Sequence, residues 1–202
     1  MSKEERNRFW TLANLFSILR ILLIPVFVTL VIQQKILAAL LFFLAASATD
    51  VLDGMAARAF HQKTKIGGLL DPAADKLLMT AAIIILSFPS LSQPNTVPLW
   101  LAILIIGRDL AIVISAFVLF KLRGQKSFPP SLLGKASTVS QMGIILCVLF
   151  LNVLNISPPF TQWLYVFAFV LTFVSGFKYG IWGYRILSSP PPLDMEKQNS
   201  LT

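Results

Sequence analysis

Asp50-Val51-Leu52-Asp53-Gly54-Met55-Ala56-Ala57-Arg58, then eight residues to Gly67, then three to Asp71-Pro72-Ala73-Ala74-Asp75: this 26-residue stretch decides how the chain is read. Very apolar runs flank it, Ile36 to Thr49 before and Leu77 to Leu86 after. Ionised carboxylates are costly at membrane depth, and those found there usually serve function. The chain has nine Asp and Glu residues, and four of them are here. Such an arrangement asks for cations.

The 202 residues are 56% hydrophobic and 13% charged, with mean hydropathy +0.76. A soluble domain carries about 25% charged residues. Runs of about 18 or more apolar residues read as membrane-crossing helices. Six spans emerge, at about 11–32, 36–58, 67–88, 97–121, 134–153 and 161–186. The expectation is an all-α integral membrane bundle of six transmembrane helices over 11–187. A short N-terminal interfacial helix over 1–10 would precede it, and a disordered tail over 188–202 would follow. The leader mixes Lys3, Glu4, Glu5, Arg6 and Arg8 with Phe9 and Trp10, which suits a segment at headgroup level. The first apolar run is a full span without a small-residue cleavage site, so it reads as a retained helix. The one cysteine, Cys147, excludes an intramolecular disulfide and reads as apolar filler.

A net charge of +8 raises the question of nucleic acid. The position of the charge argues against it. Lys3, Arg6 and Arg8 precede the first span, Arg58, Lys63 and Lys65 follow the second, and Lys121, Arg123 and Lys126 follow the fourth, with Arg185 and Lys197 after the sixth. The three alternate connections hold Lys35 alone. By the positive-inside bias both termini are cytoplasmic, as six spans require, and the excess adds attraction to anionic headgroups.

The charge-free run from Ile36 to Thr49 is 14 residues, about 21 Å of helix against a hydrocarbon core of about 30 Å. A continuing helix puts Asp50 and Asp53 inside the cytoplasmic part of the bilayer, and the start of the third span puts Asp71 and Asp75 at the same depth. Members of each pair are three and four residues apart, hence on one helix face. Facing one another, these aspartates would form a hard-oxygen cage for Mg²⁺ or Mn²⁺. Gly54 and Ala57 allow close approach, and Arg58 offers a planar cation to a phosphate oxygen. The combination points to a phosphorylated amphiphile.

These residues fit, without gap or mismatch, the D-x2-D-G-x2-A-R-x8-G-x3-D-x3-D motif of the CDP-alcohol phosphotransferases, and the chain resembles that family over its length. Asn14 and Arg20 in Asn14-Leu15-Phe16-Ser17-Ile18-Leu19-Arg20 look like the family's opening P-N-x-L-T-x-x-R, with Ala13 where proline is usual. The resemblance implies a CDP-linked lipid, CDP-diacylglycerol, attacked by an alcohol at the lipid-side phosphorus with release of CMP. It implies a pair of metal ions held by Asp50, Asp53, Asp71 and Asp75, with Asp75 as general base. Asn14, Asp50, Gly54, Ala57, Arg58 and Gly67 would form the CDP-lipid pocket. A homodimer is also implied.

For the acceptor, Gly134-Lys135-Ala136-Ser137-Thr138 with Gln141-Met142 looks like the G-K-x-K-T-x-x-Q-M stretch of phosphatidylglycerophosphate synthases, with Ser137 for the second lysine. Lys135 and Arg108 would then meet the phosphate of glycerol 3-phosphate. Arg108-Asp109 also reads as an ion pair within the fourth span. Those synthases carry a further arginine that Ser115-Ala116-Phe117-Val118 does not supply. The Arg-Asp variant is shared with eukaryotic-type cardiolipin synthases, whose acceptor is phosphatidylglycerol. Two other classes compete. A cation transporter would use intramembrane aspartates, but leaves Gly54, Ala57 and Arg58 without a role. A prenyltransferase would hold its two acidic motifs far apart in sequence. His61 reads as a solvated loop residue, and Gly176, Gly180 and Gly183 are spaced for close helix packing.

Overall fold

The structure, a computed structural model, describes residues 12–59, 67–123 and 132–188. The leader, His61 and the basic residues Lys63, Lys65 and Lys126, and the C-terminal tail lie outside the described residues. Six helices fill the rest: α1 (Leu12–Ile32), α2 (Ile36–Ala59), α3 (Gly67–Leu86), α4 (Leu99–Arg123), α5 (Leu132–Leu154) and α6 (Phe160–Ser188). Each coincides with an expected span to within a few residues. In lipid, helices satisfy their own backbone groups, which is why an apolar chain of this kind adopts them.

Among the described residues, three helices are long and apolar enough to cross a membrane, within Leu99–Ala116, Leu132–Leu154 and Phe160–Gly183. Shorter apolar runs occupy Leu19–Ile32 and Ile36–Ala48. The second run ends where the aspartates begin. The chain is an all-helical membrane bundle. Its outward faces carry Leu22, Val113, Val139, Trp163 and Phe177, all well exposed, as expected where the surroundings are hydrocarbon.

Packing divides the helices unevenly. α1 packs on α3 and α2, α4 packs on α6, and α5 joins the two groups by touching α2, α3 and α6. The interior is built from Phe27 and Val31 of α1, Phe43 of α2, Leu78, Ile83 and Leu86 of α3, Leu101 of α4, and Ile145 and Leu149 of α5. Phe27 meets Phe43 with ring centroids 5.8 Å apart. On the outer side Trp100 of α4 sits edge-on to Phe169 of α6 at 5.6 Å.

Two helices end in the same way. Gln34 (φ 58°) and Asn155 (φ 54°) adopt the left-handed conformation. Lys35 N–H donates to Leu30 and Gln34 N–H to Val31, while Ile156 N–H donates to Leu151 and Asn155 N–H to Asn152. These paired bonds satisfy carbonyls that a helix end otherwise leaves bare. The connections at this end are cross-tied. Gln34 Nε2 donates to the Leu91 carbonyl at 3.0 Å. Asn95 Nδ2 donates to the Ile156 carbonyl at 2.7 Å, and the Tyr165 hydroxyl donates to the Thr96 carbonyl at 2.9 Å.

Candidate functional site

The aspartate block spans the end of α2 and the start of α3. Asp50, Asp53, Gly54, Ala57 and Arg58 belong to the second half of α2, and Gly67, Asp71 and Asp75 to the first half of α3. Pro72 is the sixth residue of α3, so it withdraws the N–H that would otherwise bond to the Gly68 carbonyl. The two helices share two neighbours, α1 and α5. Asp75 is half-buried. For Asp50, Asp53, Gly54, Ala57, Arg58, Gly67, Asp71 and Asn14, side-chain surroundings lie outside what is described. Among the described residues, no three His, Cys, Asp or Glu side chains gather. The donor set of the block nonetheless fits a hard divalent cation: carboxylates at i, i+3 on one helix and i, i+4 on another.

Next to the block lies a polar relay. Lys76, the residue after Asp75, donates from Nζ to Asp109 Oδ2 at 2.6 Å. Asp109 Oδ1 accepts from Arg108 Nη1 at 2.6 Å. Arg108 Nη2 donates to Ser175 Oγ at 2.7 Å, and its guanidinium carbon stands 5.8 Å from the centre of the Tyr179 ring, within cation–π range. The Arg108 side chain is 6% exposed, Asp109 15% and Lys76 37%. Arg108 Nε is buried and has no hydrogen-bond partner. Two cations thus share one carboxylate among α3, α4 and α6.

Arg108 therefore sits as the ion pair that its neighbour in sequence suggested, with both terminal nitrogens engaged. Gly176 makes room for it. A Cβ there would stand 3.3 Å from Arg108 Cγ, whereas Gly180 and Gly183 have nothing within 4 Å of theirs. Of the three glycines expected at close packing, Gly176 is the one that serves it inside the described chain.

Lys135 lies in the first turn of α5 and is exposed. Two residues on, Ser137 is buried and shares a 3.0 Å hydrogen bond with Thr172 of α6, and Gln141 Nε2 donates to Ser137 Oγ at 3.3 Å. Arg20 of α1 is buried as well. Lys76, Ser175 and Thr172 were not singled out from sequence, yet a signal existed. Lys76 and Asp109 are opposite charges inside spans, and such charges usually pair.

Residues 10–174 match the CDP-alcohol phosphatidyltransferase family. The chain belongs to it. It is 32% identical over 177 residues to the CDP-diacylglycerol--glycerol-3-phosphate 3-phosphatidyltransferase of Aquifex aeolicus, covering 86% of this chain and 96% of that protein. The protein of the same name from Bacillus subtilis is 33% identical over 187 residues, covering 84% and 93%. A cardiolipin synthase (CMP-forming) / mitochondrial hydrolase fusion protein of Schizosaccharomyces pombe is 44% identical over 108 residues, 54% of this chain and 17% of that protein. In this CDP-alcohol phosphatidyltransferase the four aspartates lie on α2 and α3, and Lys76, paired with Asp109, directly follows the last of them.

Proposed function

We propose that this protein transfers a phosphatidyl group from CDP-diacylglycerol to glycerol 3-phosphate, releasing CMP and forming phosphatidylglycerophosphate in phospholipid biosynthesis. The observation that carries the reading is likeness over nearly full length to relatives of that activity by name, covering 96% and 93% of their own chains. In the family's motif Asp50, Asp53, Asp71 and Asp75 would hold a pair of Mg²⁺ or Mn²⁺ ions, and their hard oxygen donors support this. Bound there, the ions would polarise the pyrophosphate and stabilise charge on the attacking and leaving oxygens.

The chain's own residues do the remaining work. Asn14, Gly54, Ala57, Arg58 and Gly67 receive the CDP-lipid headgroup. Asp75 takes the acceptor hydroxyl proton as that oxygen attacks the lipid-side phosphorus. Lys135, exposed at the start of α5, meets the acceptor phosphate first. Arg108, held by Ser175 and Asp109, adds its positive charge for the acceptor phosphate without leaving them. The lysine and arginine distribution supports both termini and the site on the cytoplasmic face of a bacterial-type inner membrane. A homodimer is part of the reading, supported by the family likeness.

A second reading, transfer to phosphatidylglycerol, is favoured by the 44% identity to the Schizosaccharomyces pombe cardiolipin synthase fusion and by the absence of a further arginine over 115–118. CMP release by detergent-purified protein given CDP-diacylglycerol, Mg²⁺ or Mn²⁺ and each acceptor in turn separates the two. Release with glycerol 3-phosphate alone establishes the first reading, and release with phosphatidylglycerol alone the second. Release with neither removes both and returns a cation path to consideration.

A further inference from the structure

We propose that Lys76 and Asp109 are positioning residues for Asp75, and that the relay Ser175–Arg108–Asp109–Lys76 sets the rotation of α3 from the α4/α6 pair. The inference rests on the phosphatidyl-transfer reading and deepens it by naming what holds the base in place.

α3 packs chiefly on α1 and α5, and α4 on α6, so α3 and α4 barely meet elsewhere. The Lys76–Asp109 ion pair at 2.6 Å joins them. The far end of the relay is well anchored. Arg108 is fixed by Ser175, by the Tyr179 ring and by the close approach of Gly176 to its stem. Its partner Asp109 has one oxygen on each cation. The direction of Asp109 is therefore set before Lys76 is considered.

Lys76 directly follows Asp75 on the helix, so their side chains leave the axis about 100° apart. Fixing one direction fixes the other. A rotation of α3 by about 10° displaces a carboxylate about 6 Å from the axis by about 1 Å, and displacements of that size cost about a hundredfold in rate. The relay is short, buried at its Arg108 end, and built from charge-assisted bonds, the strongest available for the purpose.

The test is a double-mutant cycle on CMP release by the full chain in detergent, with CDP-diacylglycerol, Mg²⁺ and glycerol 3-phosphate. Lys76→Met and Asp109→Asn are each expected to lower kcat by about tenfold or more, with KM for CDP-diacylglycerol held within about twofold. The double variant is expected to be no worse than either single one, because coupled residues lose their shared interaction once. Lys76→Arg, which keeps the ion pair, is expected to restore most of kcat. Should the charge variants fail to fold, Ser175→Ala probes the same relay from its outer end and is expected to lower kcat mildly in the same direction. Losses that multiply in the double variant would overturn the proposal, as would a lower melting temperature with kcat unchanged. Wild-type protein that releases CMP with no acceptor would instead remove the functional reading, and the positioning role with it.

Discussion

Asn152 Oδ1 accepts two hydrogen bonds from Asn95, one from its backbone N–H at 2.8 Å and one from its side-chain amide at 3.0 Å. The Asn152 amide returns the favour by donating to Ser92 Oγ and to the Asn95 carbonyl. Both asparagines are buried, so every one of these groups depends on the others. Asn152→Leu would leave the Asn95 backbone N–H bare and its amide with the Ile156 carbonyl alone, at a cost of about 1–3 kcal/mol. The expected result is a lower melting midpoint in detergent with an unchanged KM for the acceptor.

Gly176 separates packing from chemistry on α6. Gly176→Ala places its methyl 3.3 Å from Arg108 Cγ, a contact that the arginine stem can absorb with a small shift. Gly176→Leu cannot be absorbed, and overpacking of this kind costs about 1–3 kcal/mol. Activity and melting temperature measured side by side should fall little for alanine and sharply for leucine. Gly180→Leu, facing open space, should leave the melting temperature of a single chain unchanged.

Asp75→Asn removes the proposed base while keeping the shape of the site. CMP release should drop by about a hundredfold or more, with CDP-diacylglycerol still bound, as read by equilibrium binding of the nucleotide lipid. Lost lipid binding in this variant would count against the base role. Asp50→Asn and Asp53→Asn should behave differently, abolishing the restoration of activity by added Mg²⁺ after chelation.

Lys135→Ala should raise the KM for glycerol 3-phosphate by about tenfold or more, the loss expected for one charge-assisted phosphate contact, and leave the KM for CDP-diacylglycerol alone. Initial-rate kinetics with each substrate varied in turn gives both numbers.

The helices were legible because hydropathy, turn residues and the alternation of basic loops all mark the same boundaries. The aspartate block was legible because charges are so rare in such a chain that Asp50, Asp53, Asp71 and Asp75 stand out against it. The inward faces were harder to read. In a membrane bundle apolar residues lie on both sides, so Phe43, buried, and Phe177, exposed, look alike in sequence. Polar residues carried the missing information. Thr161, Tyr165, Thr172, Ser175 and Tyr179 recur at intervals of three, four and seven along α6, and of these Thr161, Tyr165, Thr172 and Ser175 are buried. The Lys76–Asp109 pair was half legible: opposite charges inside spans ask for partners, but 33 residues separate these two and no local pattern says that they meet.

The cross-ties among 33–35, 87–98 and 155–159 fasten one end of the bundle. Helix α4 has 25 residues and so extends about 37 Å from that end. A tilt of about 5° around the fastened end leaves Asn95 in place and carries the far tip of α4 through about 3 Å. For any such tilt, displacement grows in proportion to distance from the Asn95–Asn152 knot. Arg108, in the third turn of α4, would travel less than half as far as the tip, which keeps its displacement relative to Lys76 of α3 small.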